Sequence, residues 1–357
     1  MVETKSYQTF GGLNLDNKVN SYKNYDLCEL EKKYKKLVLL QECGLYPKEF
    51  DMPLLLQLEL TSQCNVHCKH CYNNSGNYDA NYNKMTPEKW KEFCTYIVSK
   101  GGIFECVISG GEPLLLGNDL YDIMDILHND GTYFLLITNG YLLNESVVDS
   151  LSKYRYKWIQ VSIDGSNAKY HDEFRQREGS WKRAVKGAYL ISKAGLPLTI
   201  AHSVSSQNLN DIDDMCNLAY SIGAGSIIIG EISLSGRSYE NPDLILDDYQ
   251  REVLLEKIEN NVERFKGKMI IQRSADTEIQ LKQYSSFPCG GNIIRPNGDI
   301  RLDCMMPFTI GNVLEDDFQN VWITKGKNCW HNPKVMEYIS SLNNSKVRNY
   351  VDKDLLI

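Results

Sequence analysis

The chain has no apolar run long enough to cross a bilayer, no internal repeat and no low-complexity tract. Those absences argue against a helical membrane span and against solenoid or propeller arrays. It also lacks a positive charge balance. Lys and Arg number 39 against 46 Asp and Glu, a net charge of −7, which argues against nucleic acid or an anionic membrane surface as the main partner. No secretory signal is legible and the eleven cysteines are an odd number, so no disulfide framework is expected and a cytoplasmic location is. The 357 residues, 42% of them apolar, suffice for about two domains with an ordinary core.

What the chain does have is Cys64-Asn-Val-His-Cys68-Lys-His-Cys71, directly after the apolar run Leu54 to Leu60. A cubic 4Fe–4S cluster normally takes four protein thiolates, so a tight loop with three leaves one iron open for another ligand. A zinc site is the other reading of the same residues, with His67 or His70 as a fourth ligand, although structural zinc usually joins paired cysteine units.

From residue 53 onward short apolar strands alternate with amphipathic helices. Strands are predicted over Leu54–Leu60, Phe104–Ser109, Tyr133–Thr138, Trp158–Ile163, Leu198–Val204 and Ser226–Ile232. Helices are predicted near Pro87–Lys100, Leu120–Asp130, Ser146–Lys153, Ser180–Ala194 and Leu209–Ile222. Six βα units in succession imply an α/β fold, a partial (β/α)6 barrel of parallel strands with helices outside. Ligands of such folds sit at the carboxyl ends of the strands. Each polar motif falls there: Ser109-Gly110-Gly111-Glu112-Pro113 after the second strand, Thr138-Asn139-Gly140 after the third, Ser162-Ile163-Asp164-Gly165 after the fourth. Taken singly, these are also ordinary strand-ending turns.

The order CxxxCxxC, GGEP and polar strand ends resembles the radical S-adenosylmethionine (SAM) enzymes, strongest through residues 64 to 165 and covering about residues 53 to 330. The resemblance implies that Cys64, Cys68 and Cys71 hold a 4Fe–4S cluster whose open iron takes the amino acid end of SAM, with His70 beside it. It implies that Gly110, Gly111, Glu112 and Pro113 meet the SAM amino group, and that Asn139, Ser162 and Asp164 face its ribose or amino acid part. His171-Asp-Glu-Phe-Arg175 resembles a stretch whose arginine reaches the SAM carboxylate, a role that suits a planar guanidinium; Arg177 is the other candidate.

After about residue 236 the rhythm is lost. Gly236-Arg237 resembles a frequent exit from the radical SAM core, and a linker helix is predicted near Leu246–Phe265. Cys289 and Cys304 then flank a strand, an Asn297-Gly298 turn and a second strand. This resembles the hairpin of SPASM and twitch extensions, although eight residues precede Gly298 and five follow it, one off the usual spacing on each side. Only the isolated Cys329 follows, so the resemblance implies a shortened C-terminal β-hairpin and helix domain. One auxiliary iron–sulfur cluster would be held by Cys289, Cys304 and Cys329, with His331, Asp303 or no protein group at the fourth iron. The alternative is a hairpin that merely packs.

The expected organisation is therefore a helical cover over 1–50, the radical SAM barrel over 51–240, and the linker helix with the auxiliary domain over 241–357. Cys28, Cys43, Cys94, Cys106 and Cys216 read as buried small hydrophobes, Cys216 also being a candidate hydrogen-atom donor. The resemblance implies reductive SAM cleavage to a 5′-deoxyadenosyl radical that abstracts hydrogen. The expected substrate is a ribosomally synthesised peptide, crosslinked or epimerised, and the expected electron donor is a flavodoxin or ferredoxin. A small-molecule or sugar-nucleotide enzyme and a non-catalytic iron–sulfur or zinc scaffold are the alternatives.

Overall fold

The computed structural model describes residues 9–10, 13–14, 50–77, 80–274, 290–304, 306–326, 328–341 and 355–357. Cys28, Cys43, Cys289 and the helix expected over 27–41 lie outside the described residues. Strands β1 (Thr9–Phe10) and β2 (Leu13–Asn14) pair with each other. Among the described residues the other strands form one eleven-stranded sheet.

Seven of its strands run parallel in chain order: β3 (Leu55–Glu59), β4 (Glu105–Ser109), β5 (Tyr133–Thr138), β6 (Tyr156–Ser162), β7 (Leu198–Val204), β8 (Ser226–Glu231) and β9 (Ile270–Arg273). The helices between them are α1 (Pro87–Ser99), α2 (Asn118–Asn129), α3 (Glu145–Leu151), α4 (Ala168–Arg175), α5 (Ser180–Lys193), α6 (Ile212–Ser221) and α7 (Asp248–Arg264). Several begin on side chains suited to the task. Thr86 caps α1 ahead of Pro87, Asn144 caps α3, Asn167 caps α4, and Asp247 with Gln250 forms a capping box on α7. No helix among the described residues is long and apolar enough to cross a membrane.

Alternation along the strands separates two faces. Leu56, Leu58, Ile108, Leu136, Ile159, Val161, Ile200 and Ile229 are buried in one core with Trp90, Ile97, Leu120, Ile123, Ile191 and Met215 of the helices. The opposite positions Gln57, Val107, Gln160, Ser162, Ala201 and Ser203 stay half-buried. The inner face of the half-barrel thus mixes polar and apolar side chains, several of them only half-buried.

The six predicted strands are present within two residues of their expected ends. Two features lie beyond the sequence reading. Ile270–Arg273 adds a seventh parallel strand beside β8. The C-terminal hairpin, β10 (Gly290–Ile294) and β11 (Asp299–Arg301), joins the same sheet, with β10 parallel to β3 and β11 antiparallel to β10. Strands β12 (Phe308–Asn312) and β13 (Leu355–Leu356) extend that edge, and helices α8 (Phe318–Val321) and α9 (Pro333–Ser341) complete the tail.

Candidate functional site

The cysteine loop leaves the carboxyl end of β3 and lies across the ends of the neighbouring strands. Cys68 is buried, while Cys64 and Cys71 are half-buried. Burial pushes the Cys64 thiol up to about 11 and the Cys68 thiol up to about 12. Nearby thiols add to both displacements. Bare, the Cys64 and Cys68 thiols stay protonated near neutrality, so a bound cation is what would make them thiolates. Among the described residues no three His, Cys, Asp or Glu side chains converge on a single-ion position. Zinc would require such convergence, whereas a cube takes one thiolate per iron and spreads them apart.

Gly110 and Gly111 serve a backbone contact. Gly111 N–H donates to the Thr61 carbonyl at 2.6 Å and Glu112 N–H to that of Gln63 at 2.9 Å, so the segment is zipped to the stretch entering the cysteine loop. A Cβ at Gly111 would lie 2.0 Å from the Gln63 oxygen, and Gly110 has φ +130° with the Thr61 oxygen 2.5 Å from a built Cβ. Only glycine fits either position.

Glu112 is fully buried, and Pro113 begins a 3₁₀ turn behind it. Its carboxylate accepts from Leu114 N–H at 3.1 Å, Thr138 Oγ1 at 2.8 Å and Asn139 N–H at 2.8 Å. In the unliganded chain this carboxylate, expected at an α-ammonium, ties the ends of β4 and β5 together. Burial outweighs the three donors and raises its pKa from the ordinary 4.5 to about 7. A carboxyl with a raised folded-state pKa stabilises the fold fully below its unfolded value, and that contribution is lost as pH rises through the folded value. The unliganded chain is expected to lose this part of its stability as pH rises from about 4.5 to about 7, and Glu112→Gln to flatten that slope. Thermal melts of both proteins across this range check it.

Asn139 reaches the cysteine loop. Its Nδ2 donates to Asn65 Oδ1 at 2.7 Å and lies 3.8 Å from Cys64 Sγ. Its Oδ1 accepts from Tyr141 N–H at 2.9 Å. His70 stacks on Phe174 at 4.4 Å between centroids, with Nε2 3.4 Å from Ser203 Oγ and a buried Nδ1 without a partner. Burial lowers its pKa to about 4, so the ring is neutral. Ser162 stands half-buried at the end of β6.

Asp164 and Arg175, expected as separate ligands, are each other's partner. Arg175 Nε and Nη2 lie 2.8 and 2.7 Å from Asp164 Oδ2, and Ser203 N–H donates to Oδ1 at 2.9 Å. Burial favours the neutral acid, yet the guanidinium holds the Asp164 pKa well below the carboxylate range. Arg177, the other candidate, donates to the Tyr141 hydroxyl at 3.2 and 3.3 Å on the exposed surface. The carbonyls of Arg175 and Phe174 accept from His67 and Lys69 N–H at 3.1 and 3.0 Å. Helix α4 therefore braces the loop through its last turn, where carbonyls are left open.

The tail meets the loop from the other side. Glu59 is fully buried and accepts from Tyr72 Oη at 3.3 Å and Asn73 Nδ2 at 3.2 Å, while Arg295 Nη2 donates to Asn73 Oδ1 at 2.7 Å. Cys304 lies near Asp303, Arg301 and Glu59, and burial raises its pKa strongly. Cys329, expected as a ligand of an auxiliary cluster, is a buried thiol in this structure. It is buried among apolar residues, donates to the Gly326 carbonyl at 3.1 Å, and is pushed up to about 12 by burial with no contribution from another thiol. Cys216 is buried, as a small hydrophobe would be. It packs inside α6 with no exposure, and burial holds its thiol at about 12.

Residues 58–219 match the radical SAM superfamily. That stretch is a radical SAM domain. The chain is 27% identical over 281 residues to the antilisterial bacteriocin subtilosin biosynthesis protein AlbA of Bacillus subtilis, across 77% of this chain and 60% of that protein. It is 33% identical over 199 residues to the AdoMet-dependent heme synthase of Methanosarcina barkeri, across 56% of each. The chain thus spans less than two thirds of these two relatives' lengths. The crystal structure of Streptococcus suis SuiB bound to S-adenosylmethionine has the same fold, with a TM-score of 0.65 at 16% identity over 92% of this chain and 83% of that one. A radical SAM domain works with a 4Fe–4S cluster and SAM. The donors here suit both: three thiols without a single-ion geometry, and a glycine-lined rim with buried Ser62 Oγ and Asn65 Nδ2 left without partners. Sequence reasoning missed Glu59, Tyr72 and Arg295, whose contacts join segments far apart in the chain.

Proposed function

We propose that the chain is a radical SAM enzyme that modifies a ribosomally synthesised peptide, by thioether or carbon–carbon crosslinking or by epimerisation. The observation that carries this reading is the three-cysteine loop at the carboxyl rim of a parallel half-barrel that matches the family. In this reading Cys64, Cys68 and Cys71 hold the cluster, and Gly110, Gly111, Asn139 and Ser162 form the rim against which SAM lies. With both groups bound, the site supplies a 5′-deoxyadenosyl radical for hydrogen abstraction. The protein's part is positional. Glu112 ties two strand ends, Asp164 fixes Arg175 and the last turn of α4, and these hold the loop while substrate enters over the inner face.

The peptide reading draws on the relative whose name gives it a place in bacteriocin biosynthesis. A small-molecule substrate is the second reading, favoured by the resemblance to a heme synthase. A second iron–sulfur cluster involving Cys289 and Cys304 belongs to the proposal, as does a flavodoxin or ferredoxin as electron donor. Cys329, buried as Cys68 is, stands as the candidate third ligand.

The test is anaerobic reconstitution with iron and sulfide, reduction, addition of SAM and chromatographic measurement of 5′-deoxyadenosine. Formation is expected, faster with a peptide encoded next to this chain. Fully iron-loaded protein that forms none, with or without that peptide, would leave the scaffold reading.

A further inference from the structure

The turn after β8 sends one side chain back under the cysteine loop. Gly236 has φ +52°, and a Cβ there would sit 2.3 Å from the Cys71 oxygen and 2.5 Å from that of Tyr72. Glycine allows this contact, and it delivers Arg237, which is 3% exposed. Arg237 N–H donates to the Cys71 carbonyl at 3.1 Å. Its Nε donates to the Cys68 carbonyl at 2.8 Å, and Nη1 donates to the Ser75 carbonyl at 2.7 Å and Asn74 Oδ1 at 3.3 Å. Four bonds thus go from one residue to four points of an eight-residue stretch, 68–75.

We propose that Arg237 is a positioning residue that sets the conformation and electrostatics of the CxxxCxxC loop. This rests on the reading of Cys64, Cys68 and Cys71 as the ligands of the SAM-binding cluster. The peptide between Cys68 and Lys69 is pinned at both ends. Its carbonyl takes Arg237 Nε, and its N–H donates to the Phe174 carbonyl at 3.0 Å. Two elements distant in sequence thereby fix the plane from which the Cys68 side chain departs. A fork of rigid N–H donors can satisfy Cys68 and Ser75 together, and a lysine ammonium on a flexible stem cannot do so with the same geometry.

Charge adds a second effect. The side-chain partners of Arg237 are neutral oxygens, so its positive charge stands in a buried place beside a loop of three cysteines. Binding a cluster makes those cysteines thiolates. A buried cation close by favours the added electron of the reduced state.

Arg237→Gln and Arg237→Lys test this in the full-length chain. The readouts are iron content, the electron paramagnetic resonance spectrum of the reduced protein with and without SAM, and the midpoint potential. Arg237→Gln is expected to keep most of its iron, shift its midpoint to more negative values, lose the wild-type spectral response to SAM, and form 5′-deoxyadenosine at least about tenfold more slowly. Arg237→Lys is expected to recover the potential but only part of the spectral response. A glutamine variant with wild-type potential and SAM response overturns the proposal. If that variant does not fold, the lysine variant decides, and wild-type behaviour in every readout overturns the requirement for the fork. Wild-type protein that takes up no iron would instead sink the cluster reading, leaving the Arg237 hydrogen bonds without a cofactor to position.

Discussion

Alanine in place of Cys64, Cys68 and Cys71 together is expected to abolish 5′-deoxyadenosine formation. Each thiolate of such a loop holds one iron of a cube, and no other described side chains are grouped to replace them. The loss is chemical and not conformational. The loop is held by backbone bonds from α4, Arg237 and the glycine segment, none of which uses a cysteine sulfur. The variant is therefore expected to fold, with circular dichroism like the parent, and to lose about four irons per chain, one cube's worth. Residual iron with its own absorbance would belong to Cys289 and Cys304. Residual SAM cleavage would end the assignment of the three cysteines.

The second large effect is on stability. Asp164→Ala is expected to lower the unfolding free energy of the unliganded chain by roughly 3–5 kcal/mol, the usual penalty for leaving a buried charge unpaired. Arg175 is 5% exposed and Asp164 not at all, so water cannot replace the lost carboxylate. Replacing both together, Asp164→Leu with Arg175→Met, is expected to recover most of the stability, because an apolar pair of similar volume avoids desolvating two charges. Urea denaturation of the three proteins measures this, and a single-variant loss under about 1 kcal/mol would contradict it. The acid limb gives a second check. The folded pKa of Asp164 is depressed, so its contribution is present above the unfolded value near 3.9 and is lost as pH falls toward the folded one. The alanine variant should lack that loss.

The strands and helices of the barrel were legible because each carries a local signature: apolar runs such as Leu55–Glu59, a proline at the first turn of α1, glycine at strand ends. The cysteine loop was legible for the same reason. The partnerships were not. Asp164 and Arg175 read as two polar groups available to a ligand, and nothing local announces the ion pair between them. Residue type likewise does not announce that Cys329 is buried among apolar neighbours, which depends on how α8, α9 and the hairpin pack. Gly110 and Gly111 suggested close approach of a ligand. The neighbour they meet in the unliganded chain is the backbone of Thr61 to Gln63.

The parallel pairing of β10 with β3 joins residues near 290 to residues near 55. A ribosome therefore releases the three cysteines long before the strand that closes over their side of the sheet, with about 220 residues of synthesis between Cys71 and Arg295. At roughly 5–20 residues per second that interval is on the order of ten to forty seconds. During it the loop lacks Arg295 on Asn73 and, for most of it, Arg237 under Cys68. The late arrival of these two arginines leaves the nascent loop without its last braces until the sheet is complete.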